Sequence, residues 1–203
     1  MHEHLRLRTR AALGNALVLP AAVLAFAALA AACGSSAPVT YSAPVGISLD
    51  VRSADVVSGQ ISVDKSISTE TGNPYGAFVN AAEKALGHAP SRIVVTSATL
   101  VMDPASSTQV TALEQVFGGA VQVSFVPNGS RVSLPAATAP QVSGIGPVAM
   151  VDLFDSAQVP STDYPDIVGG SFKVLLTGAA VADFATRSAT ADLTATFTFE
   201  AFP

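Results

Sequence analysis

The chain has no tryptophan, one cysteine and three tyrosines in 203 residues, and after its N-terminal segment it has a single histidine, His88. Each scarcity excludes something. One cysteine cannot close an internal disulfide, so an exported domain would depend on burial and hydrogen bonding alone. One histidine and one cysteine cannot fill a four-ligand zinc site. Without tryptophan to stack a sugar, a glycosidase carboxylate pair has little support. The same lack argues against an outer-membrane barrel, which needs aromatic girdles on many strands; Phe197, Phe199 and Phe202 are better read as core packing of a last strand. Positive charge is also short. Beyond residue 33, seven Lys or Arg stand against fourteen Asp or Glu. That balance repels phosphate backbones and excludes nucleic acid as an expected partner.

What is present begins at the N-terminus. Arg6, Arg8 and Arg10 precede an apolar, alanine-rich run from Ala11 to Ala28, interrupted by Pro20, and Leu29-Ala30-Ala31-Ala32 then leads directly into Cys33. Basic start, apolar middle and small residues before a cut site are the three parts of an export signal. The segment resembles the signal peptide of bacterial lipoproteins. The resemblance covers about a sixth of the chain and implies that residues 1–32 are removed and that the Cys33 thiol receives a diacylglycerol and becomes the new N-terminus. It departs from the commonest pattern in one place: Leu29 lies four residues before Cys33 rather than three. Two other readings of the same residues are an uncleaved anchor, since Ala11 to Ala32 is just long enough to span a bilayer, and an ordinary secretory signal with Cys33 as an incidental thiol. Under the lipoprotein reading the partner of Cys33 is the lipid bilayer, where two or three acyl chains hold far better than one. Gly34 after the cysteine implies sorting to the outer membrane in a Gram-negative host.

Residues 33–44 read as the lipidated cysteine and a flexible tether, because Gly34 to Pro44 is small, uncharged and rich in Ser and Pro. Residues 45–203 then form one domain of ordinary size. Its pattern is mostly strand. Val45 to Val51 and Val57 to Val63 alternate, Arg92 to Met102 is β-branched, and Ala120 to Val126 alternates into Pro127-Asn128-Gly129-Ser130, a hairpin signal returning along Val132 and Leu134. Pro147 to Phe154, Ser171 to Thr177 and Ala191 to Phe202 complete the set. The expected fold is mainly β: an antiparallel β-sandwich, immunoglobulin-like or similar, with one or two short covering helices. The first helix is bounded by Asn73 as cap, Pro74 at the first position and Gly87 as stop, with Phe78, Ala81, Ala82, Ala85 and Leu86 as its apolar stripe. A second is expected from Thr108 to Phe117, with Val110, Leu113 and Phe117 on one face.

Motifs that carry chemistry are few. His88 sits in Gly-His-Ala-Pro, no Gly-x-Ser-x-Gly elbow occurs, and neither Ser91 nor another serine has a recognisable nucleophile setting. A histidine just past a helix C-terminus is more often a favourable dipole partner than a base. Asp152, Asp155, Asp163 and Asp166 fall within fifteen residues around Pro160 and Pro165. Such a loop can bind Ca²⁺ if its oxygens converge, although the spacing fits no EF-hand and aspartate is common in turns. The sequence thus implies a membrane-anchored, non-catalytic envelope lipoprotein serving as a structural, adhesive or binding module, with a protein or glycan partner, no assigned catalytic residue and no cofactor. The alternatives are an envelope hydrolase using His88 and a calcium-dependent adhesion domain.

Overall fold

Thr190–Phe202 alternates without a break: Ala191, Leu193, Ala195, Phe197, Phe199 and Ala201 are all buried, and the Thr, Asp and Glu residues between them face outward. Such a strand is apolar on one face only, so it needs a second layer above that face. In this computed structural model, which describes residues 39–67 and 72–203, it is the last of nine strands. Residues 1–38, and with them the expected export signal, Cys33 and most of the expected tether, lie outside the described residues.

The strands are β1 (Tyr41–Arg52), β2 (Val56–Val57), β3 (Gln60–Ser66), β4 (Arg92–Thr108), β5 (Phe117–Pro127), β6 (Leu134–Ala139), β7 (Val148–Ala149), β8 (Phe172–Ala180) and β9 (Thr190–Phe202). All pairings are antiparallel. One sheet has four strands in the order β1-β9-β4-β7, and the other has five in the order β2-β3-β8-β5-β6. The two inner faces form a β-sandwich core. Val45, Ile47, Leu49 and Val51 of β1 enter it beside the inward residues of β9, opposite Val121, Val123 and Phe125 of β5 and Phe172, Val174 and Leu176 of β8. Phe125 is its aromatic centre, with ring centroids 5.1 Å from Phe154, 5.1 Å from Phe172 and 5.5 Å from Phe197. Burying each such side chain contributes roughly 1.5–3 kcal/mol.

Residues 148–155 close one side of the sandwich. Met150 N donates to Ala98 O in β4, Val151 and Thr138 of β6 exchange both backbone bonds at 2.7 Å, and Val95 N donates to Phe154 O. The Pro147 to Phe154 run is therefore not one strand. It crosses from the edge of one sheet to the edge of the other, and only Val148–Ala149 is regular.

Helix α1 (Pro74–Leu86) has the expected bounds. Asn73 Oδ1 accepts from Tyr75 N and Gly76 N, and Gly87 ends it at φ 80, a left-handed value that a side chain would resist. Its buried side is Tyr75, Phe78, Val79 and Ala82, whereas Ala85 of the expected stripe is exposed. Phe78 lies 5.9 Å from Tyr41 and 5.4 Å from Phe199, so α1 packs against β1 and β9 at the end where the chain enters the fold.

Several expectations are corrected. Tyr41 to Pro44 belong to β1, not to the tether: they pair with Ala201 to Thr198. Pro44, lacking an N–H, is tolerated because β1 is an edge strand. Val57 to Val63 is not one strand but a hairpin about Ser58-Gly59, both at positive φ (52° and 77°), the type I′ geometry. Conversely, Asn128-Gly129 does not make that turn. Only Gly129 has positive φ, Ser130 N donates to Pro127 O, and Val132 is exposed before β6 begins. The helix expected over Thr108 to Phe117 is a single 3₁₀ turn, Leu113–Gln115. Val110, Leu113 and Phe117 are buried as expected, but Thr111 N donates to Gln115 Oε1 and Gly144 N to Glu114 Oε2, bonds that compete with helix formation. A five-residue helix, α2 (Tyr164–Val168), lies instead within the acidic loop.

Candidate functional site

Backbone pairing at the start of β4 determines where the most elaborated surface lies. Ile93 N donates to the buried Ser156 Oγ (2.9 Å), and Val94 bridges to Asp155. These bonds hold Asp155 at the head of the 3₁₀ turn Ser156–Gln158, where its Oδ1 accepts from Ala157 N (2.9 Å). They also place it against the first residue of β4. Arg92 Nε donates to Asp155 Oδ1 at 2.9 Å, and Arg92 Nη2 meets Asp155 Oδ2, so the pair is bidentate. The guanidinium also lies 5.5 Å from the Phe202 ring centroid. The Arg92 bond holds the Asp155 carboxyl below its usual range against the opposing effect of burial, and Arg92 is correspondingly raised.

Two hollows adjoin this pair and share Val159. One, of about 320 Å³, is lined by Leu134, Pro135, Asp152, Phe154 and Gln158 among others. The second, of about 340 Å³, lies between Ser91, Arg92, Ala157, Ser161, Tyr164 and Pro165. Tyr164 closes it by donating its hydroxyl to Pro90 O (2.8 Å), and burial raises its pKa. Behind it in the core, the Tyr75 hydroxyl is fully buried without a hydrogen-bond partner, and burial raises its pKa far more.

The sequence-singled residues do not assemble into one site. His88 is exposed, and its hydrogen bond among the described residues is Nδ1–H to Ala89 O (2.8 Å); neither a hydroxyl nor a carboxylate orients it. Ser91 Oγ is bonded to Pro203 O. Of the four aspartates, Asp155 is held by Arg92. Asp163 accepts from Ser130 Oγ (3.0 Å) and Thr162 Oγ1 (3.1 Å), Asp166 lies in the first turn of α2, and Asp152 lines the first hollow at φ 54. They do not converge: among the described residues no group of three or more His, Cys, Asp or Glu is arranged to hold a metal ion. Cys33 lies outside the described residues.

Sequence reasoning missed Arg92 and Tyr164 as site residues. Arg92 is 63 positions from Asp155, and no local pattern joins them. It also missed a row of three carboxylates across the four-stranded sheet. Asp50 and Asp103 are both register partners of Asp192, which lies between them. Burial and then the charge of Asp50 raise the Asp192 pKa, Arg52 opposing, whereas Ser106 Oγ donates to Asp103 (2.9 Å) and lowers that residue's pKa. Chemically, the crevice around Arg92 offers a neutral ion pair, hydroxyls and apolar walls. That inventory can hold a ligand or a partner's side chain.

Comparison with family models, with curated proteins and with solved structures finds no match to this chain.

Proposed function

We propose that this chain is a lipid-anchored, non-catalytic envelope protein whose β-sandwich works as a binding module, attached to the bilayer through Cys33. The observation that carries the reading is the position of the first strand. From Tyr41 onward the sandwich has its strands, caps and core without the sole cysteine, which stands eight residues earlier behind an export signal. A lone cysteine with small residues on both sides is suited to lipid modification. The non-catalytic half is supported by His88, the lone histidine beyond residue 4, whose ring among the described residues bonds to the Ala89 carbonyl and not to a carboxylate. The crevice beside Arg92 and Asp155 is the surface best equipped to hold a protein or glycan partner.

Metabolic labelling with a fatty acid tests the anchor. The wild-type chain should be labelled, and Cys33→Ser should lose the label and accumulate as precursor. Label retained in Cys33→Ser would contradict the assignment.

A further inference from the structure

We propose that the end of the sandwich at which the chain enters, marked by Tyr41, is seated on the bilayer through Arg131 and Val132 of the loop after β5, with the opposite, acidic end held outward. This inference rests on the lipid anchor at Cys33.

Reach is the first constraint. Eight residue steps from Cys33 to Tyr41 span at most roughly 30 Å, whereas β1 at twelve residues is about 40 Å long. The Tyr41 end therefore stays near the lipid, and the far end meets it only if the sandwich lies on its side. Pairing locates what shares the Tyr41 end. Tyr41 is opposite Ala201, which is opposite Ile93; Tyr75 joins Phe199 (5.1 Å) to Phe172 (4.9 Å), and Phe172 is opposite Pro127. The loop after Pro127 belongs to the same end, tied to α2 by Ser130 Oγ on Asp163, and Val132 N donates to that same hydroxyl (3.0 Å).

Charge distinguishes the two ends, the far one being the more acidic. Lying down on the outer face of the four-stranded sheet would press Asp50, Asp192, Asp103 and Glu200 against the bilayer, desolvating carboxylates beside anionic headgroups. At the Tyr41 end, Asp155 is already paired with Arg92, leaving Glu83, Asp163, Asp166 and Glu200 as its acids without a cationic partner among the described residues, Asp163 being hydrogen-bonded to hydroxyls. Lys84, His88 and Arg131 are exposed there, as are the apolar Val39 (63%) and Val132 (44%). Lys and Arg with an apolar neighbour are the side chains that favour a headgroup layer. The far end offers Asp50, Asp55, Asp103, Glu114, Asp183 and Asp192 against Arg52 and Arg187.

The chain has no tryptophan, so single-tryptophan variants report without background. Val132→Trp and, as the far-end counterpart, Val57→Trp (71% exposed in the wild type) are compared in the mature protein. Each is reconstituted into vesicles of phosphatidylcholine mixed with anionic phosphatidylglycerol, whose acyl chains carry bromine. The expected result is co-flotation of both proteins, with blue-shifted, bromine-quenched emission at 132 and unquenched, water-exposed emission at 57. Co-flotation with no quenching at 132, or equal quenching at both positions, overturns the seated orientation and leaves the anchor intact. Failure of both to co-float refutes the anchor, and with it the orientation.

Discussion

Asp192 and Asp155 show how position alone gives one residue type opposite effects on stability. Burial and the neighbouring Asp50 raise the Asp192 pKa. The fold therefore binds that proton more tightly than the unfolded chain, and the resulting stabilisation is present below the unfolded value, about 3.9, and lost as pH rises through the folded value. Asp155 is the reverse: Arg92 lowers its pKa, so its contribution is present above the unfolded value and lost as pH falls through the folded one. Urea melts of the two Asn variants across pH 3–7 should separate the cases. Asp192→Asn should be more stable than wild type at pH 7, with the gain shrinking in acid, and Asp155→Asn less stable at pH 7, with the deficit shrinking in acid. The same sign for both would contradict this arrangement. Neither effect was legible in the sequence. Asp192 is an outward residue of an alternating strand, and only the register brings Asp50 and Asp103 beside it.

Elements were legible wherever a local signal was sufficient. Asn73, Pro74 and Gly87 fix both ends of α1 because capping is decided within a few residues. The alternation of β1 and β9 is equally local. The failures lie where another segment competes. Leu113 to Phe117 has a helical spacing of apolar residues, yet β5 begins at Phe117 and takes that residue's backbone into the sheet opposite Ala180. The two turns fail in opposite ways. Asn128-Gly129 has the better hairpin chemistry but follows Pro127 and is bonded to Ser171, so the chain loops wider, while Ser58-Gly59 makes the tight type I′ turn with a residue that resists positive φ. Ser58→Asn should therefore stabilise the domain by roughly 0.5 kcal/mol, since asparagine tolerates that conformation better. Thermal or urea melts check this, and a destabilised variant would contradict the turn assignment.

For the whole molecule, an antiparallel β-sandwich followed from composition and alternation, but its strand order did not. No neighbours in the four-stranded sheet are consecutive in sequence, and β9 returns from the C-terminus to lie between β1 and β4. Such long-range pairing depends on which edges remain open after hairpins form, and no short window of sequence records it. The crevice was missed for the same reason. Arg92, Asp155 and Tyr164 come from two distant stretches joined by the segment that closes the side of the sandwich. The proposed anchor, by contrast, rests entirely on contiguous residues. Mass spectrometry of the N-terminal peptide of the mature protein tests that central claim most directly. The account predicts a peptide that begins at Cys33, bears a diacylglyceryl thioether and is released from the bilayer only by detergent. A mature chain that starts elsewhere, or that carries Cys33 as a free thiol, would contradict it.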